Sequence, residues 1–245
     1  MNMATIQGID IDHLTVPQLL NRVGALIEAN SWATVGYVNV HVLNIASHNS
    51  ILTTFLQNLD LCYCDGSGVV LASHILGEPL PQRMTGIDWI EDLAAKSATA
   101  GWKMAWIGGM EGVAAEASRR LISRHRGLQI PFTAHGYTPP GQEVLELISR
   151  LNAAQPDIVL VGMGTPLQEM WVMKHRRQID APLVWCLGAT ADVVSGKVDR
   201  GPSWLYRHQE WLARLLVDPR RLWRRYLIGN PRFLLRVLRQ RRGRR

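Results

Sequence analysis

Asp157-Ile158-Val159-Leu160-Val161-Gly162-Met163-Gly164-Thr165-Pro166-Leu167-Gln168-Glu169 is the stretch whose reading decides the fold. Ile158 to Val161 is a short aliphatic run bounded by glycine, mostly β-branched, which reads as a strand buried on both faces. Gly162 and Gly164 supply a turn. Pro166 suits the first turn of a helix, where its missing N–H has no intrahelical partner to lose. A helix is therefore predicted over 168–177.

The same unit recurs on either side. Lys103 to Ile107 ends in Gly108-Gly109 and precedes a helix over 113–122. Ile130 to Ala134 precedes a helix over 141–151, and Leu183 to Leu187 ends in Gly188-Ala189. Short apolar strands alternating with helices predict an α/β protein: a Rossmann-like, mostly parallel sheet flanked by helices. Ligands bind such sheets at the carboxyl ends of the strands, so Gly108, Gly162 and Gly188 should share one rim. Upstream, Gly8 to Asp12 reads as a short strand or hairpin, Thr15 and Gln18 as a capping box, and Val35 to Leu43 as a strand. Cys62-Tyr63-Cys64 reads as a strand running into the turn Asp65-Gly66-Ser67-Gly68.

With 245 residues, 47% of them apolar, the chain can bury a sizeable core. No uncharged apolar run reaches the roughly 18 residues of a membrane span, and Met1 to Thr5 lacks the basic start of a signal peptide. Cys62, Cys64 and Cys186 are too few and too badly spaced for a disulfide framework or zinc site, and read as buried small hydrophobes in a reducing cytoplasm. The charge is unevenly placed. Residues 200–245 hold fourteen arginines and no lysine against two acids, Glu210 and Asp218, a net of +12. The whole chain carries +7, which leaves −5 for residues 1–199.

A mildly acidic body with a strongly basic tail points to a polyanionic partner, either anionic lipid or nucleic acid. Trp204, Leu205, His208, Trp211, Leu212 and Leu215 recur at helical spacing, and Pro219 and Pro231 are expected to divide the remainder into about three helices. Two units follow: residues 1–195 as a catalytic domain, and 196–245 as a basic amphipathic helical appendage. Trp204, Trp211, Trp223 and Phe233 among leucines suit a membrane interface better than DNA, although a nucleic-acid-binding tail is the competing reading. The exposed aromatic stripe also makes a homo-oligomer a candidate.

Three features bear on chemistry. The Gly162–Glu169 turn is either a diphosphate cradle at a helix N-terminus or a plain tight connection. It is not the dinucleotide fingerprint, since Leu167 stands at the third glycine position, which argues against a nicotinamide-dependent oxidoreductase. Asp65 is either a turn-shaping residue or a general base, and Arg83 either a surface ion pair or a phosphate clamp. Asp10-Ile11-Asp12 is formally Asp-x-Asp but sits in the opening hairpin, and the histidines show no ligand spacing, so no metal site is expected. No Gly-x-Ser-x-Gly elbow or Gly-Lys-Ser/Thr loop appears.

Asn39, Asp65-Gly66-x-Gly68 and Arg83-x-x-Gly86-x-Asp88, then Gly162-x-Gly164-x-Pro166-x-Gln168-Glu169 and Gly188-x-x-x-Asp192-x-x-x-Gly196, together resemble the WecG/TagA/CpsF glycosyltransferases (family 26). Arg200-x-Pro202, Glu210-Trp211, Arg214, Pro219-x-Arg221 and Arg225-Tyr226 resemble the family's C-terminal signature. The resemblance implies an inverting hexosyltransferase without metal or other cofactor. It would move sugar from a UDP-sugar donor to an undecaprenyl-diphosphate-linked (polyprenyl-diphosphate) acceptor. Its products would enter wall teichoic acid, enterobacterial common antigen, capsule or exopolysaccharide. The enzyme would sit peripherally on the anionic cytoplasmic face of the inner membrane. The resemblance implies Asp65 as base, and Asn39, Arg83, Gly164, Pro166, Gln168, Glu169, Gly188 and Asp192 as substrate-binding positions, with Gln168 at the UDP-binding turn. It implies Arg214, Arg221 and Arg224 for the acceptor diphosphate. Tyr37 stands where threonine is common in the family, Gln82 where glutamate is, and Gly201 where alanine is. Pro166-Leu167-Gln168 with Gly229-Asn230-Pro231 resembles the exopolysaccharide branch, some members of which use UDP-glucose, so N-acetylmannosamine and glucose are both implied donors.

Overall fold

The structure is a computed structural model and describes residues 3–198 and 219–244. A hairpin of β1 (Met3–Ile6) and β2 (Ile9–Asp12) precedes a six-stranded sheet of β3 (Ala33–Val38), β4 (Leu61–Cys64), β5 (Lys103–Gly108), β6 (Gln129–Ala134), β7 (Ile158–Gly162) and β8 (Leu183–Cys186). The order is β4-β3-β8-β7-β5-β6 and every pairing is parallel. The α/β expectation holds. β7 is buried along its whole length, as a central parallel strand must be.

The helices are α1 (Val16–Glu28), α2 (Val40–Ala46), α3 (Ser50–Gln57), α4 (Ser67–Leu76), α5 (Gly86–Ala100), α6 (Val113–Arg124), α7 (Gln142–Ala153), α8 (Leu167–His175) and α9 (Thr190–Val194). Beyond the undescribed residues come α10 (Pro219–Trp223), a π-helical turn (Arg224–Ile228) and α11 (Gly229–Gly243). Thr15 and Gln18 form the expected capping box. Val35–Leu43 is not one strand: β3 stops at Val38 and α2 begins at Val40. The reason is Asn39, whose Oδ1 accepts the Val42 N–H at 3.0 Å and caps the new helix.

The tail also differs from expectation. Pro231 does not separate two helices but lies in the first turn of α11, directly after the π-turn. The wider turn accommodates the proline ring and its missing N–H, so the helical path continues. The predicted helix around Trp204–Leu215 lies outside the described residues.

α11 packs on α2, α4 and the hairpin. Its own Phe233 and Val237 are the buried side chains of that contact. Its polar side chains tie it to the hairpin turn, where Gln7 and Gly8 both take positive φ. Gln7 N–H donates to Gln240 at 2.9 Å, Gln240 Nε2 donates to Thr5 O at 2.8 Å, and Arg236 donates to Gln7 Oε1 at 3.1 Å and to Asn44 Oδ1. Arg244 bonds Glu78 at 3.0 Å, and Asn44 Nδ2 donates to Gly229 O at 3.0 Å. Because Phe233 is only 3% exposed, Phe233→Ala is expected to cost about 3 kcal/mol in denaturant-induced unfolding. The exposed Leu235→Ala is expected to cost under about 0.5 kcal/mol in the same measurement.

Candidate active site

Closely packed backbone at the carboxyl edge of the sheet shapes the candidate site. Gly108 pairs with Gly162 across β5 and β7, and Gly109 N–H donates to Gly162 O at 3.0 Å. A Cβ on Gly108 would overlap the Gly162 carbonyl, one on Gly162 would overlap the Gly188 carbonyl, and one on Gly188 would meet the Tyr37 hydroxyl at 2.7 Å. The three glycines do share one rim, packed too closely for side chains. The connection leaving β5 runs outward to β6, while that leaving β7 runs the other way to β8. The switch point of the sheet therefore falls between Gly108 and Gly162, where such folds hold their ligands. Gly162, Met163 and Gly164 lead from that crevice into α8, with a cis bond at Thr165–Pro166.

Asp65 follows β4, its N–H donating to Val38 O at 2.8 Å. Gly66 then takes φ +116°, and a Cβ on Gly68 would meet Val40 at 2.5 Å, so both glycines of the motif are sterically required. Asn39 Nδ2 donates to Asp65 Oδ2 at 2.9 Å while its Oδ1 caps α2. One asparagine thus ends β3, starts α2 and holds the carboxylate. Both Asn39 and Asp65 are half-buried.

Arg83 lies in the loop that returns beside β4 through a Met84 N–H to Cys64 O bond of 2.7 Å. Its Nη1 approaches Asp88 Oδ2 at 3.3 Å, and that same oxygen caps α5 through Thr85. Gly86 is needed because the Thr190 hydroxyl occupies the place of its Cβ, which joins the start of α5 to that of α9. Asp192 lies half-buried in the first turn of α9.

Gln168 is fully buried. Its Oε1 accepts the Gly188 N–H at 3.0 Å and its Nε2 donates to Glu169 Oε1 at 2.8 Å. Thr165 Oγ1 donates to that same Glu169 oxygen at 2.8 Å. The Tyr37 phenol reaches the Thr165 and Gln168 side chains, and burial, then the charge of Asp65, push its pKa well up. Below lies an aromatic floor. Trp89 of α5 stacks on Trp185 of β8 at 4.1 Å, and Tyr63 of β4 meets both edge-on.

From the C-terminal side, Arg225 faces His41 at the start of α2. Burial, then that guanidinium, lowers the His41 pKa to about 4. Arg224 is exposed and stacks on Trp223 at 5.2 Å. Arg214 and the side chain of Arg221 lie outside the described residues. Thr165 stood in the Gly162–Glu169 turn without an assigned role, and His41 entered no sequence motif. The Asn-x-x cap just before His41 was the available signal that a helix, not a strand, would bring it here. Among the described residues no group of three or more His, Cys, Asp or Glu side chains could hold a metal. Asp12 instead accepts the Cys62 N–H at 2.9 Å, and Asp10 the Thr5 hydroxyl at 2.6 Å.

A parallel sheet with a glycine crevice at its switch point and a carboxylate three strands from β7 places the chain among α/β enzymes with a strand-end ligand groove. More particularly, the chain belongs to the WecG/TagA/CpsF family of glycosyl transferases, whose model matches residues 4–245. A relative from Bacillus spizizenii (strain W23), N-acetylglucosaminyldiphosphoundecaprenol N-acetyl-beta-D-mannosaminyltransferase, is 32% identical over 89% of this chain and 83% of its own length. A Staphylococcus aureus (strain NCTC 8325) enzyme of the same name is 27% identical over 97% of this chain and 92% of its own.

Since the Gly162 Cα faces the Gly188 carbonyl without room for a methyl group, Gly162→Ala is expected to destabilise the fold by about 1–3 kcal/mol in chemical unfolding. Gly164→Ala meets no neighbouring atom within 4 Å, so its cost comes only from the +78° φ. It should be smaller, about 1 kcal/mol.

Proposed function

We propose that the protein transfers a hexose, with inversion, from a UDP-sugar to a sugar carried on a polyprenyl diphosphate, with Asp65 as general base. The observation that carries this reading is the Asn39–Asp65 hydrogen bond of 2.9 Å, at the same sheet edge as the glycine crevice. The amide holds the carboxylate in place, fixing the side chain so that it can take a proton from the acceptor hydroxyl. The donor diphosphate would lie over the Gly162–Pro166 turn, at the positive end of the α8 dipole. Backbone N–H groups there, with arginines such as Arg83 and those of the tail, would offset charge growing on the leaving UDP, which asks for no metal ion. The donor is UDP-N-acetylmannosamine, as the relatives' names support, or UDP-glucose, with Tyr37 at the floor of the groove a candidate for deciding between them.

The tail would dock the enzyme on the inner leaflet and meet the acceptor. Trp223, Leu227, Ile228, Leu234, Leu235 and Leu238 are exposed among Arg220, Arg224, Arg232, Arg239, Arg241 and Arg242. An apolar face edged with arginines suits a membrane interface. Arg224, together with Arg214 and Arg221, would bind the acceptor diphosphate. No described helix is long and apolar enough to span a bilayer.

Transfer should be measured in EDTA with UDP-N-acetylmannosamine and UDP-glucose against a lipid-diphosphate N-acetylglucosamine. Wild-type protein is expected to turn over one of them. Asp65→Asn should be slower by about 100-fold or more while binding UDP as before. Turnover that requires added Mg²⁺ would remove the metal-free mechanism, and an active variant would remove Asp65 from the base role. In vesicle flotation, Arg232→Glu/Arg239→Glu/Arg242→Glu should release the protein from anionic liposomes, since each arginine contributes about 1 kcal/mol near such a surface. Unchanged flotation would sink the docking reading.

A further inference from the structure

Resting on that reading of the donor site, we propose that Glu169 is held as a neutral carboxylic acid and is a positioning residue. It fixes the Gln168 amide, and through it the Gly188 backbone, in the shape that receives the donor diphosphate, while adding no negative charge beside it.

A glutamine side chain can present its oxygen or its NH₂ group in either direction, and only one choice suits Gly188, which offers an N–H. The acceptance of Nε2 by Glu169 Oε1 selects that choice, because a flipped amide would set donor against donor at one end and acceptor against acceptor at the other. Thr165 Oγ1 adds a second donor to the same carboxyl oxygen, tying the cradle turn into the pair.

The two carboxyl oxygens of Glu169 are unlike. Oε1 accepts two hydrogen bonds, whereas Oε2 is buried and has no hydrogen-bond partner among the described residues. An ionised carboxylate would leave its share of charge on Oε2 unsolvated in a residue only 2% exposed. A proton on Oε2 removes that charge and leaves Oε1 as the carbonyl oxygen that the two donors need.

No cation among the described residues faces the group to offset an ionised form. β3 contributes Tyr37, β8 contributes Cys186, and Asp65 stands across Tyr37. α3 and β7, which also pack on α8, carry no titratable side chain, and the cations of the last turn of α8 and of the 3-10 turn after it, Lys174, His175, Arg176 and Arg177, lie at the opposite end of the helix from Glu169. Burial, the leading cause, raises the Glu169 pKa. The neutral acid is therefore the low-pH form. Because the folded-state pKa lies above the unfolded one, its contribution to stability is full below the ordinary carboxylate range and is lost as pH rises through the folded value.

The test compares Glu169→Gln, which keeps a carbonyl oxygen at Oε1 and is neutral at every pH, with Glu169→Leu, which keeps only volume. Both are checked for folding by thermal melting. UDP affinity is read by calorimetry across pH, and the carboxylic-acid carbonyl band by infrared difference against Glu169→Gln. Expected is a band in wild-type protein at neutral pH, and Glu169→Gln binding UDP within about twofold of wild type there. At higher pH wild-type affinity should fall by about tenfold per unit above the Glu169 pKa while that of Glu169→Gln stays level. Glu169→Leu should bind about tenfold more weakly throughout, the loss of one oriented hydrogen bond.

No infrared band, or Glu169→Gln as impaired as Glu169→Leu, overturns the proposal. None of these readouts uses turnover. Wild-type protein that binds UDP but transfers no sugar overturns the reaction alone. Wild-type protein that binds no UDP overturns the donor site and the positioning role with it.

Discussion

The backbone of three strands meets at the carboxyl edge of the sheet with no room for a side chain between them. At Gly108, Gly162 and Gly188 a methyl group would enter the neighbouring carbonyl or the Tyr37 hydroxyl. Much else follows from that contact. It places the switch-point crevice on bare peptide groups, whose fixed dipoles interact with a charged ligand without reorganising. It lets Gln168 reach across from α8 to Gly188, and it lets Tyr37 lie along the floor without being displaced. The Trp89–Trp185 stack beneath gives the rim a rigid base, since offset aromatic pairs add to the stability of their burial.

The groove holds two carboxyl groups near one tyrosine, and their surroundings differ. Asp65 is half-buried with an amide donor on one oxygen. Glu169 is enclosed, bonded to hydroxyl and amide at one oxygen and without a partner among the described residues at the other. A groove holding the proposed donor diphosphate would tolerate one negative side chain at the proposed acceptor end more easily than a second beneath the donor. Separating the roles by burial rather than by residue type is how paired carboxyls elsewhere acquire different protonation states.

How much of this was legible depends on whether the signal was local. The β5, β7 and β8 units stood out because each is a short apolar run closed by glycine, and the close contact at the rim is the reason for the glycine. Val35–Leu43 misled because Val40, Val42 and Leu43 continue the apolar character of β3, although Asn39 starts a helix through its side-chain cap. Pro231 misled in the opposite direction, since a π-turn absorbed what would otherwise be a break. Asp65, Asn39 and Gln168 were identifiable as residues, but their partnerships were not. The Asn39–Asp65 and Gln168–Gly188 bonds span 26 and 20 positions and exist only once β3, β4 and β8 are ordered in the sheet.

The tail illustrates the same limit with a mechanical consequence. Its charge excess was plain in the sequence, but its attachment was not. α2 is a seven-residue helix whose N-cap, Asn39, holds Asp65, and whose Asn44 accepts from Arg236 and donates to the carbonyl of Gly229. His41, on the first turn of the same helix, faces Arg225. The proposed membrane-facing segment is thus joined to the proposed base through two turns of helix. If α11 sets the orientation of the protein on a bilayer, α2 transmits it to Asp65 with little slack. An acceptor held at the lipid surface would meet a base whose position is already determined by the docking helix, and part of the entropic cost of bringing the two together would be met by docking itself.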